Sequence, residues 1–196
     1  MAAEAKSETK AKAPKAEKKA TKAKTESGLN PMKSIKIDKV TVNVCVGNDK
    51  LGMVKAEKLL KILTNKTPVK CSAKKRLATW QIRPGLAIGH KVTLRGNDAH
   101  EFLKWVLKSK ANKISAKSLD NYGNFAVGVH EYLELSGMKY DADIGIIGFE
   151  LMTTFTRAGF RIKSRAVKKA RIPSRHKVTP EEVIGYMKEH FGVSVE

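Results

Sequence analysis

Val40, Val42, Val44 and Val46 occupy alternate positions in a stretch whose intervening residues are Thr41, Asn43 and Cys45. A strand sends successive side chains to opposite faces, so one face of this stretch is apolar and the other polar. Residues 35–46 are therefore expected to form a half-buried strand, closed by Gly47 and Asn48. Such a strand is not stable alone. It needs neighbouring strands and an apolar layer against its valine face.

The downstream sequence supplies both. Ala56, Leu59, Leu60 and Leu63 follow the i, i+3, i+4, i+7 spacing of an amphipathic helix, which Pro68 stops. Residues 69–95 read as strand, loop and strand, with Ala78, Trp80 and Ile82 alternating against Leu77, Thr79 and Gln81. After Pro84-Gly85 a further strand carries Ile88, His90, Val92 and Leu94 on one side and Gly89, Lys91, Thr93 and Arg95 on the other. A second helix is expected from a cap at Asn97 or Asp98, with Ala99, Phe102, Leu103, Val106 and Leu107 as its stripe.

Residues 110–124 are polar and read as a flexible connection ending in Tyr122-Gly123-Asn124. Two strands follow, one alternating through Phe125, Val127, Val129 and Leu133, the other through Ile147, Phe149, Leu151 and Phe155. Thr179-Pro180-Glu181-Glu182 has N-cap, N1 and N3 residues in the right places to start a helix over 180–191. Val183, Ile184, Met187 and Phe191 form its stripe and Gly192 ends it. The order β-α-β-β-α-β-β implies an α+β fold, an antiparallel sheet with helices packed on one face. Residues 29–196 are expected to form one domain. Residues 1–28 are an Ala/Lys-rich tail, with eight lysines and four glutamates in 1–27 and no large apolar residue beyond Met1, and are expected to be disordered.

Charge narrows the function. The formal net charge is +20, from 39 basic and 19 acidic residues, and a polyanion is the natural partner of such an excess. Nucleic acid is the first candidate and an anionic membrane surface the second. No run of about 18 apolar residues occurs, and the best stretch, Ile144 to Phe155, is broken by Glu150, so no membrane partner is expected. The lysine-bearing N-terminus has no apolar segment and reads as no secretory signal, which gives a soluble, intracellular expectation.

The cations are organised. Ten Lys or Arg and no acid lie between Lys58 and Arg95. Among them Lys74, Lys75 and Arg76, followed by Arg83, read as a mobile basic loop reaching toward an RNA backbone. Nine more lie between Arg157 and Lys177, again without an acid, and Gly159 and Pro173 interrupt any long helix there. Residues 157–178 are expected to be an extended strap that orders on RNA through Arg161, Lys163, Arg165, Lys168, Lys169, Arg171 and Arg175. Period-two alternation sends Lys91, Thr93 and Arg95 to an outer face. Aromatic residues make up 6% of the chain, too few for a base-stacking sheet, so shape and backbone readout of largely double-stranded RNA fits better.

No enzyme signature appears. His90, His100, His130, His176 and His190 have no paired metal-ligand spacing, and the pairs Glu131/Glu134 and Asp141/Asp143 have no catalytic companions. Gly85 to Lys91 lacks the spacing and the Lys-Ser/Thr ending of a phosphate loop. Cys45 and Cys71 form neither a disulfide framework nor a CxxC pair, and reduced thiols are expected. No metal or cofactor is expected.

Several strings occur together in an informative order: Asn30-Pro31-Met32, Val42-Asn-Val-Cys-Val-Gly47, Ile88-Gly-His-Lys-Val-Thr-Leu-Arg-Gly96 and Gly123-Asn124-Phe125. They resemble the large-subunit ribosomal protein family that binds 5S rRNA in the central protuberance, number five in the universal numbering. Lys139-Tyr-Asp141, Ile144-Gly-Ile-Ile-Gly148 and the basic strap ending in Arg175-His176 resemble its archaeal and eukaryotic branch. The resemblance covers about residues 29–195 and leaves the tail outside. It implies a non-catalytic protein that attaches 5S rRNA to large-subunit rRNA in the cytoplasmic ribosome. It also implies that Asn30, Met32, Asn43, Lys91, Thr93 and Arg95 line the 5S rRNA face. Lys74, Lys75, Arg76 and Arg83 resemble the family loop that approaches P-site tRNA. Neighbouring ribosomal proteins, including one of the small-subunit head, are further implied partners. Cys45 departs from the glycine that many members carry. The alternatives are a chromatin-like protein binding duplex DNA and an RNA-modifying enzyme with an unrecognised site.

Overall fold

The valine alternation becomes an eleven-residue strand, β1 (Ile35–Cys45), in a computed structural model that describes residues 30–195. The alanine- and lysine-rich tail expected over 1–28 lies outside the described residues. Val40, Val42 and Val44 are buried, and Thr41 and Asn43 point the other way. Helix α1 (Lys50–Thr64) follows, opened by Asp49, whose carboxylate accepts the Leu51 N–H at 3.0 Å. It is closed by Asn65 in the left-handed conformation, three residues ahead of Pro68. Ala56, Leu59, Leu60 and Leu63 are its buried stripe.

Strands β2 (Val69–Ser72) and β3 (Ala87–Leu94) come next, then helix α2 (Asn97–Ser109) and the two-residue β4 (Lys113–Ile114). Strands β5 (Phe125–Val129) and β6 (Phe149–Arg157), helix α3 (Pro180–Phe191) and β7 (Ser194–Val195) complete the order. Five strands make one antiparallel sheet in the order β2-β3-β1-β6-β5, and β4 pairs with β7 in parallel. The helices cover a single face of the large sheet. Val40, Val42, Val92, Leu94, Leu151 and Phe155 face them, and Tyr186 of α3 meets Phe155 edge-on at 5.7 Å. Each fully buried aliphatic or aromatic side chain contributes about 1.5–3 kcal/mol relative to exposure, so this apolar layer is what holds helices to sheet. The fold is α+β, with an open outer sheet face.

Four expectations need correction. Residues 77–82 are not a strand; Leu77 and Ile82 close a tight turn whose Gln81 has φ of 56°, and Trp80 at its tip is 66% exposed. The cap of α2 is Gly96, at φ 66°, rather than Asn97 or Asp98, since the chain reverses directly out of β3. Leu133 lies in the 3₁₀ turn Tyr132–Glu134 beyond β5, and Ile147 precedes β6. The strap is a chain of turns rather than extended. It contains 3₁₀ segments Phe160–Lys163 and Ser174–His176, and the Ala170 N–H folds back to the Ile162 carbonyl at 3.4 Å.

Candidate nucleic-acid interface

Antiparallel register aligns the outer-face side chains into rows. One row runs Val69, Lys91, Asn43, Glu150 and Gly128 across all five strands. The next runs Thr93, Thr41, Met152 and Ala126. Asn43 donates its amide to Glu150 at 3.3 Å, which fixes the Asn43 side chain flat on the sheet. Lys91 and Thr93 project into solvent beside it. Directly opposite Cys45 sits Gly89, where any Cβ would lie 2.5 Å from the Val44 carbonyl oxygen, so β1 and β3 approach closely there.

Arg95 is placed differently from Lys91. The register of β1 against β6 slips between Ile37 and Lys39, so Asp38 is an extra residue in β1. The slip brings the Asp38 carboxylate 2.9 Å from the Arg95 guanidinium, which also donates to the Asp38 carbonyl at 3.3 Å. Arg95 is exposed but its charge is already answered.

The other sequence-derived residues divide between the two ends of the sheet. At the Cys45 end, Lys74, Lys75, Arg76 and Arg83 are exposed on the connection from β2 to β3, which the buried Ala73 and Ile82 anchor. At the Ile35 end lies the strap, with Arg161, Lys163, Arg165, Lys168, Lys169, Arg171 and Arg175 all exposed. Asn30 and Met32 belong to this end: Asn30 caps the turn Pro31–Lys33 by accepting the Met32 N–H at 3.0 Å, and Met32 lies over Gly159 of the strap. Asn43, Lys91 and Thr93 are thus neighbours, whereas Asn30 and Met32 are separated from them by most of β1, about 26 Å along a strand.

Ion pairs engage some of the cations. On the helical side, Lys58 pairs with Asp143 at 2.9 Å, Lys61 with Glu57 at 2.8 Å, Lys110 with Glu134 at 2.7 Å, and Lys66 with Asp98. The Lys66 ammonium holds the Asp98 carboxyl below the usual carboxylate range, and Lys58 does the same to Asp143. Among the described residues, Lys74, Lys75, Arg76, Arg83, Lys91 and the seven strap cations have no carboxylate partner. Lys50, Lys55, Lys104, Lys108 and Lys188 of the helices are likewise without a carboxylate partner among the described residues, so the loop and the strap are distinguished by the clustering of their unmatched cations.

Reading the sequence placed Thr41 on the polar face but missed Glu150 and Met152 there, although the period that buries Phe149 and Leu151 also turns Glu150 outward. It missed Arg157 as well, which is 6% exposed and ion-paired with Glu182. Among the described residues no group of three or more His, Cys, Asp or Glu is placed to hold a metal ion, and no helix is long and apolar enough to cross a membrane.

Residues 30–83 match the family model described as ribosomal protein L5, and residues 87–178 match the model of the C-terminus of that ribosomal family. A large ribosomal subunit protein uL5 from Nanoarchaeum equitans is 44% identical over 167 residues, 85% of this chain and 98% of that protein. The proteins of the same description from Picrophilus torridus and Sulfurisphaera tokodaii are 43% and 42% identical, over 87% and 85% of this chain and 97% and 95% of their own lengths.

Proposed function

The chain belongs to the ribosomal protein L5 family, whose members are structural ribosomal proteins and not enzymes, and from that membership we propose that it binds 5S rRNA through its outer sheet face within the cytoplasmic large ribosomal subunit. The observation that carries this reading is the gathering of exposed cations in the basic loop, in the strap and at Lys91, none with a carboxylate partner among the described residues. Unmatched cations that share one partner release that partner's counterions on binding, the main electrostatic source of affinity for a nucleic acid.

The roles divide along the sheet. Asn43, Lys91 and Thr93 contact 5S rRNA from the centre, with Arg95, Asn30 and Met32 toward the strap. The strap holds large-subunit rRNA and so ties the two RNAs together. Lys74, Lys75, Arg76 and Arg83 reach P-site tRNA, and neighbouring ribosomal proteins, one of them in the small-subunit head, complete the contacts.

Competition between 5S rRNA and random-sequence duplex DNA at fixed salt tests the central claim. Preference for 5S rRNA by at least about a thousandfold is expected, the lower reach of a specific nucleic-acid site. Equal affinities would favour a general duplex-DNA-binding protein instead.

A further inference from the structure

Between the strap and the Ile35 end of the outer sheet face lies a cleft of about 1010 Å³. That is the upper end of the about 300–1,000 Å³ typical of small-ligand sites, and ample for one nucleotide with its flanking phosphates. Lys39, Arg161, Lys163, Arg171 and Lys177 line it, and none has a carboxylate partner among the described residues. Its one lining acid, Asp38, is already paired with Arg95.

The cleft also has an aromatic wall. Tyr122 is 56% exposed, and the Lys177 ammonium lies 4.8 Å from its ring centroid. The ring is presented by a stiff turn: the Asp120 N–H bonds the Asn124 carbonyl and the Gly123 N–H bonds the Asp120 carbonyl, both at 2.8 Å. Gly123 has φ of 72° and packs so tightly against α3 that a Cβ there would lie 2.8 Å from Val183. An exposed tyrosine held this firmly costs little additional ordering when something stacks on it.

We propose that this cleft receives a single unpaired nucleotide of the bound RNA, with its base stacked on Tyr122 and its flanking phosphates held by Arg161, Lys163 and Arg171. An uninterrupted double helix presents phosphates but no free base face, so it uses the cations and leaves the ring idle. A nucleotide swung out of its helix uses both. The inference rests on the proposed binding of RNA by this face and adds to it a subsite with a different physical signature, stacking that is independent of salt.

The test uses the full chain and a 5S rRNA transcript. Irradiation at a wavelength absorbed by the bases should cross-link the RNA to the peptide containing Tyr122, identified by mass spectrometry. Tyr122→Ala should weaken binding about five- to tenfold without changing the salt slope, and Tyr122→Phe should restore it. Lys163→Ala and Arg171→Ala should each lower the slope by about one. Normal 5S rRNA binding with no adduct at Tyr122 and full affinity in Tyr122→Ala overturns the subsite and leaves the wider RNA reading standing. Failure of the unaltered chain to bind 5S rRNA overturns both. If adenosine monophosphate binds in a Tyr122-dependent way while Tyr122→Ala keeps full RNA affinity, the cleft serves free nucleotides and the assignment to RNA is wrong.

Discussion

Arg157, the last residue of β6, is ion-paired with Glu182 in the first turn of α3, and the other oxygen of Glu182 accepts the Thr179 N–H at 3.1 Å. One carboxylate therefore completes the capping box of α3 and clasps the two ends of the strap. Within residues 158–178 the clasp is joined by the His176 Nε2–H donating to the Ala158 carbonyl at 2.9 Å, the Phe160–His176 ring contact and the burial of Val178 in the core.

Glu182→Gln should therefore lower stability at neutral pH. Partial burial works against its charge, but the Thr179 N–H and the Arg157 guanidinium together hold the Glu182 carboxyl below the ordinary glutamate value. A carboxyl with a depressed folded value stabilises fully above the unfolded value, about pH 4.3, and the contribution is lost as pH falls through the folded value. Breaking a buried pair costs about 3–5 kcal/mol. Glu182 is 42% exposed, so about 2 kcal/mol is expected at pH 7. Urea unfolding should show this gap closing below about pH 4; a gap that persists in acid would assign the loss to something other than the ion pair.

His90 should make the fold sensitive to mild acid. It is 1% exposed, with neither ring nitrogen hydrogen-bonded and Glu57 3.9 Å away. Burial chiefly, with Lys70 and Lys61 assisting and Glu57 opposing, pushes its pKa down. The unfolded chain then takes up the proton first, so stability falls as pH drops below about 6.5 toward the folded value. His90→Leu should flatten the dependence of Tm on pH between 7 and 5, measured by calorimetry. An unchanged slope would show that another group carries it.

Lys91 and Arg95 should not be equivalent. Lys91→Ala should reduce the salt slope of 5S rRNA binding by about one, and Arg95→Ala by less, because Asp38 already answers that guanidinium. Asp38→Ala should release Arg95 and steepen the slope. Equal losses from the two alanine variants would mean that Asp38 yields Arg95 freely on binding.

Lys74→Ala combined with Lys75→Ala should leave 5S rRNA affinity unchanged, since both side chains lie beyond the Cys45 end of the outer face. Footprinting on assembled ribosomes should show altered P-site tRNA protection. A loss of 5S affinity instead would move the loop onto the 5S surface.

Much of the fold was legible because its signals are local. The valine alternation marked β1, the i, i+3, i+4, i+7 stripes marked α1 and α2, and Thr179-Pro180-Glu181-Glu182 marked the start of α3. Alternation misled at 77–82, where a tight turn carries the same apolar-polar rhythm as a short strand. The bulge at Asp38 and the burial of Arg157 were invisible for a different reason. Both depend on partners 57 and 25 positions away, which period and propensity do not report. The candidate interface was legible as a set of exposed cations. Which of them are free was not, because that depends on where the acids fold.

The basic loop and the strap sit at opposite ends of β1, and the span between them is set by an eleven-residue strand that is paired along its length except at the Asp38 bulge, about 33 Å. A hydrogen-bonded sheet does not stretch, so this separation is a fixed gauge. On the proposed binding of RNA at both ends, the two RNA elements would be held at one distance from each other, and a movement of either would displace the sheet as a whole rather than stretch it.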